Sequence, residues 1–117
     1  MNFRILIFSF VFLGVHSTAY AADVEAGKKL YDKVCGYCHL TTYDDKFGPG
    51  LAGIIERRDE AWLSAFLKDP QEMIKNDEYA QSLKESNSYN LTMPKLPDMQ
   101  DEQKRADVIA YMKTLVD

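Results

Sequence analysis

The stretch Cys35-Gly36-Tyr37-Cys38-His39 places two thiols three positions apart and an imidazole immediately after them. This is the C-x-x-C-H pattern of covalent haem attachment. The spacing has a chemical reason. Two thiols one helical turn apart can add across the two vinyl groups on one edge of a porphyrin, and the adjacent histidine then turns its imidazole onto the iron. Other uses of paired cysteines fit less well. A redox C-x-x-C belongs beside a βαβ pattern, and a zinc site needs two further Cys or His ligands. A disulfide between Cys35 and Cys38 would close a very small loop and stabilise little.

Moving outward from the motif, the remaining ligand position is constrained by composition. The chain has two histidines, and one of them, His16, lies in an N-terminal segment read below as a removable signal. His39 is then the only imidazole available, so bis-histidine ligation within one chain is impossible. A second axial ligand is sought among the methionines. Met73 and Met112 fall on helical apolar faces, where methionine serves as a gap-filler, and Met99 begins a helix. Met93 stands in an extended stretch held by Pro94, from which a thioether can project, and is the expected ligand. Iron held by His39 and Met93 has a raised potential and no open position for oxygen chemistry. Electron transfer is therefore expected rather than enzymatic catalysis. The acidic residues are dispersed, and no pair suggests general acid/base work or an activated nucleophile.

The N-terminus has the form of a secretory signal peptide: Arg4, an apolar run from Ile5 to Val15, and Ala19-Tyr20-Ala21 as a small-x-small cleavage site. The apolar run is shorter than the roughly 20 residues a bilayer requires, and no stop-transfer pattern follows. Cleavage after Ala21 or Ala22 is expected, giving a signal at 1–21 and one domain at 22–117, a periplasmic location and no permanent membrane span. What remains carries 13 Lys and Arg against 18 Asp and Glu. No basic patch suggests nucleic acid. The acidity favours redox protein partners with a positively charged docking face.

Helical periodicity accounts for most of this domain. Val24 to Val34 reads as an amphipathic helix entered from Asp23, and Leu40 to Gly53, with Gly48-Pro49-Gly50, reads as loop. Asp59 caps a helix with Trp62, Leu63, Phe66 and Leu67 on one face. Asp69-Pro70 starts another, with Glu72 completing a capping box. A short or frayed helix is expected around Tyr79 to Leu83. Asp98 is expected to cap a last helix, Met99 to Val116, burying Ala106, Ile109, Met112 and Leu115 or Val116. No segment alternates as a strand does. The fold class is all-α, four or five short helices.

With the motif, the later Met93-Pro94 and the last helix in order, residues 23–117 resemble the class I cytochrome c family. The resemblance implies a small cytochrome c fold wrapped around one covalently bound haem c, attached through Cys35 and Cys38. It implies that Gly27 and Tyr31 of the first helix cross Val108 and Tyr111 of the last. It further implies that the Pro49 carbonyl accepts a hydrogen bond from the His39 ring, and that Arg57 or Arg58 approaches a haem propionate. Trp62 is expected to pack in the core, with a bond from its indole N–H to a propionate as the alternative. The implied role is an electron carrier working between a reductase or dehydrogenase and an oxidase or other acceptor. Two other roles stay open: a subunit held within a larger oxidoreductase, and a ligand-binding or sensor protein in which Met93 does not bind.

Overall fold

A computed structural model describes residue 14 and residues 21–116. The expected signal peptide, residues 1–21, lies outside the described residues except at Gly14 and Ala21. Six α-helices and two short 3-10 turns make up the regular structure there, with no strand among the described residues. Among those residues no helix is long and apolar enough to cross a membrane.

The helices are α1 (Val24–Lys33), α2 (Ile54–Arg57), α3 (Glu60–Lys68), α4 (Pro70–Asn76), α5 (Glu78–Glu85) and α6 (Glu102–Met112). Aspartates start five of them. Asp23, Asp59, Asp69, Asp77 and Asp101 each accept a backbone N–H from the first turn of the helix they precede. Such caps satisfy donors the helix cannot, and place negative charge at the positive end of its dipole. The one-turn helix α2 is entered instead from Gly53, whose φ of 66° suits a residue without a Cβ.

The core closes where α1 crosses α6, the two ends of the described chain. Gly27 is buried there, and a Cβ on it would overlap the Asp107 carbonyl. The same approach brings Tyr31 and Tyr111 edge to face, with ring centroids 5.2 Å apart. Asp107 is buried and accepts the Asp23 N–H at 2.8 Å and Gln103 Nε2 at 2.9 Å, so α6 carries a carboxylate to the start of α1. Arg105, also buried, donates to the Met99 carbonyl at 2.7 Å and to Ser64 Oγ at 3.3 Å, tying α6 to α3. Leu63, Leu67, Met99, Val108, Ile109 and Met112 fill the space between.

The segment boundaries differ from expectation in three places. The last helix starts at Glu102 and is capped by Asp101, because Pro97 to Gln100 forms a separate 3-10 turn that absorbs Asp98. It ends at Met112; Leu115 is buried and Val116 is 56% exposed. Glu78–Glu85 is a full two-turn helix rather than a frayed one, since Asp77 caps it and its Ala80 is wholly buried. The additional helix, α2, is a single turn. Met73, expected in the core, is only half-buried, whereas Met99 is completely enclosed.

These caps have a pH signature. The Glu72 N–H, with Lys95 adding to it, holds Asp69 below its ordinary 3.8; the Ala80 N–H does the same for Asp77. A carboxylate depressed by folding stabilises the fold fully above its unfolded pKa, and that contribution is lost as pH falls through the lower folded value. Asparagine caps about as well and does not titrate. The double variant Asp69→Asn, Asp77→Asn should therefore keep a near-normal urea midpoint at neutral pH and lose less of it than wild type below 3.8. Parallel acid profiles for the two proteins would exclude a contribution from these caps.

Candidate functional site

Directly after α1 the chain tightens into a 3-10 turn, Cys35–Tyr37. The N–H groups of Cys38 and His39 both donate to the Cys35 carbonyl, at 3.1 and 3.0 Å. That turn brings both thiols and the imidazole to one cavity. The cysteines are not joined to each other; Cys35 is buried and Cys38 exposed. Burial pushes the Cys35 thiol up to about 11.

His39 is held by three contacts, two of them at its ring. Its Nδ1 lies 2.8 Å from the Pro49 carbonyl. A carbonyl only accepts, so Nδ1 carries the proton and Nε2 keeps its lone pair. Gly48 presses on the ring: a Cβ there would lie 2.5 Å from Cε1 and 2.9 Å from Nδ1. The Tyr31 hydroxyl donates to the His39 carbonyl at 3.2 Å, linking that residue's backbone to the α1–α6 crossing. Burial lowers the imidazole pKa, with the Pro49 bond acting in the opposite direction. A neutral ring with a free Nε2 is the form that binds a metal.

The cavity is about 310 Å³, within the range of small-molecule and cofactor sites. Leu51, Ile54, Phe66, Leu67, Ile74 and Met112 are among its apolar lining residues. Met93, half-buried in the segment between α5 and the Pro97 turn, lines the same cavity as His39, and so does Pro94. Met112 reaches it from α6; Met73 and Met99 do not line it.

Trp62 stands in the wall, stacked on Phe66 at 5.0 Å and edge-on to Tyr79 at 5.5 Å. Its Nε1 is buried without a hydrogen-bond partner. The Asp77 carboxyl lies close enough for that N–H to favour its charged form. The arginines are placed elsewhere. Arg57 turns back into its own loop, donating to the Ala52 carbonyl at 2.8 Å and the Gly50 carbonyl at 3.3 Å. Arg58 lies over the Tyr79 ring, 3.5 Å from its centroid, a cation–π contact. Neither lines the cavity.

Sequence reasoning missed several lining residues. Phe47, Lys84, Asn87 and Leu91 belong to the cavity; Phe47 sits in the stretch read as loop, and the other three follow the short helix expected at Tyr79 to Leu83. Apolar periodicity could not have found them; the one signal was the Asn87-Ser88-Tyr89-Asn90 run of turn-forming residues just past a helix.

These residues fit a haem. The cavity is apolar and partly lined by aromatic rings, and two unpaired thiols and a lone-pair nitrogen meet at it. Among the described residues no three His, Cys, Asp or Glu side chains cluster to hold a bare metal ion.

Comparison with known proteins agrees with this geometry. The family model for cytochrome c matches residues 24–116. A cytochrome c2 of Rhodopila globiformis is 32% identical over 104 residues, spanning 80% of this chain and 93% of that protein. A cytochrome c of Tetrahymena pyriformis is 27% identical over 112 residues, spanning 80% and 89%. The solved structure of a cytochrome c from Rhodothermus marinus superposes with a TM-score of 0.71 at 20% identity, covering 79% of this chain and 75% of that one. With an all-helical fold closed by its first and last helices around a cavity that gathers Cys35, Cys38 and His39, this chain belongs to the class I cytochrome c family of electron-transfer proteins and binds one covalent haem c.

Proposed function

We propose that the chain is an electron carrier of the periplasm, exported by a signal peptide at 1–21 and working as one domain over 22–117. It would take an electron from a reductase or dehydrogenase and pass it to an oxidase or another acceptor. The observation that carries this reading is that His39, with its Nδ1 spent on Pro49, and Met93 line one apolar cavity.

Haem c supplies the ferric/ferrous couple that stores the electron. The protein's part is to hold and tune it. Cys35 and Cys38 are the points of attachment. His39 would hold the iron through Nε2, and the Pro49 carbonyl raises the basicity of the ring by pulling on its Nδ1 proton. Met93 would supply a soft neutral donor, which favours reduced iron. The apolar wall keeps water out, and the Trp62 N–H offers a donor to a propionate. Arg57 acts on the loop instead: its guanidinium braces the Ala52 and Gly50 carbonyls beside Pro49.

Thirteen basic against 18 acidic residues in 22–117 support redox partners with a positively charged docking face.

Visible spectroscopy of the exported protein tests the ligand set. Wild type should be low-spin with the weak far-red band of a methionine-to-ferric-iron bond. Met93→Ala should lose that band, and its reduction potential should fall by on the order of 0.1 V, within the roughly 0.8 V range that axial ligands span. A wild-type protein without the band at neutral pH would sink the assignment of Met93.

A further inference from the structure

The segment that carries Met93 is held closed by one side chain. Asn87, half-buried just past α5, makes three hydrogen bonds. Its Oδ1 accepts the N–H groups of Tyr89 at 3.0 Å and Leu91 at 2.9 Å, and its Nδ2 donates to the Phe47 carbonyl at 2.8 Å. The set fixes the amide's orientation, because turning it over would set its N–H against two donors and its oxygen against an acceptor.

The positions of these partners matter more than their number. Phe47 precedes Gly48, the residue pressed against the His39 ring. Leu91 lies two residues before Met93. The amide thus bridges the loop that seats one axial residue and the loop that carries the other, across forty positions of sequence. Neighbouring contacts serve the same closure. Phe47 and Tyr89 meet edge to face at 5.4 Å. Lys84 Nζ donates to the backbone and side-chain oxygens of Asn90, at 2.6 and 2.7 Å, and Asn90 turns the chain at φ 54°. Among the described residues, only Asn87 links the two loops by a side-chain hydrogen bond.

We propose that Asn87 is a positioning residue that clasps the His39 and Met93 loops together and restrains Met93 from leaving the iron. This rests on the assignment of Met93 as an axial ligand. An incoming ligand reaches the ferric iron on that side only when the Met93 loop opens, so its apparent affinity reports the open population directly.

Imidazole, uncharged and well matched to ferric haem, is the probe, titrated into the holoprotein. Asn87→Ala removes all three bonds. Asn87→Asp keeps oxygens for the Tyr89 and Leu91 N–H groups but sets a carboxylate oxygen against the Phe47 carbonyl, so it removes the cross-loop bond alone. Both variants should bind imidazole about tenfold more tightly than wild type, the change expected for losing a net-stabilising hydrogen bond in the closed form. Asn76→Ala deletes an Asn side chain that bonds only within α4, to Glu72, and should leave imidazole binding unchanged. Wild-type affinity in both Asn87 variants, or a change in Asn87→Ala without one in Asn87→Asp, would overturn the clasp. A wild-type spectrum lacking the far-red methionine band would instead remove the ligand assignment beneath it, and the clasp with it.

Discussion

Gly27→Ala should destabilise the haem-loaded protein by about 3 kcal/mol or more, the upper range of overpacking penalties. Two effects compete. In an isolated helix this exchange is favourable by about 1 kcal/mol, since glycine is a poor helix former. Here the added methyl would overlap the Asp107 carbonyl and meet Tyr111 Cβ at 3.1 Å. Those are a backbone atom and the root of a side chain, neither of which can swing aside, so α1 and α6 must separate. Separation also parts Tyr31 from Tyr111 and the Asp23 N–H from the Asp107 carboxylate. Set against a total of about 5–15 kcal/mol for an ordinary domain, this is a severe loss. Guanidinium unfolding midpoints of the two holoproteins measure it. A midpoint at or above wild type would mean that the helices do not cross this closely.

The second large effect is expected at the iron. Gly48→Ala should weaken the proposed His39–iron bond on the order of ten- to a hundredfold, the usual consequence of disturbing a group that orients a metal ligand. The new Cβ would stand 2.5 Å from Cε1. The ring cannot rotate away while Nδ1 is held by Pro49 at 2.8 Å. Nor is the loop free to retreat, because the Gly48 N–H donates to the Cys38 carbonyl at 2.8 Å. The ferric protein should therefore show high-spin absorption at neutral pH that wild type lacks. An unaltered spectrum would show that the proximal loop yields more easily than its hydrogen bonds suggest.

Much of this was legible in the sequence, and the reasons are physical. Local chemistry writes itself into spacing: the C-x-x-C-H turn, the Asp59 and Asp69-Pro70 helix starts, and the apolar stripe of α3 each need only neighbouring residues. The resemblance added the crossing of Gly27 and Tyr31 with Val108 and Tyr111, a pairing no single-chain periodicity could supply. The start of the last helix was misplaced for a local reason: the turn begun at Pro97 absorbs Asp98, the expected cap, and the role falls to Asp101. Direction was also invisible. Arg57 and Arg58 have the charge for a propionate, yet one points into its own loop and the other lies on Tyr79. Asn87 was the hardest to see, since its partner Phe47 lies in another loop and a polar residue in a polar run leaves no pattern.

The α1–α6 seam also makes closure of this fold a long-range event. Gly27 meets Asp107 and Tyr111, which lie about eighty positions further along the chain, so the entropy of closing a long loop must be overcome before these contacts form. Cys35, 8% exposed in the finished fold, follows directly on α1, so its burial is tied to the docking of α6.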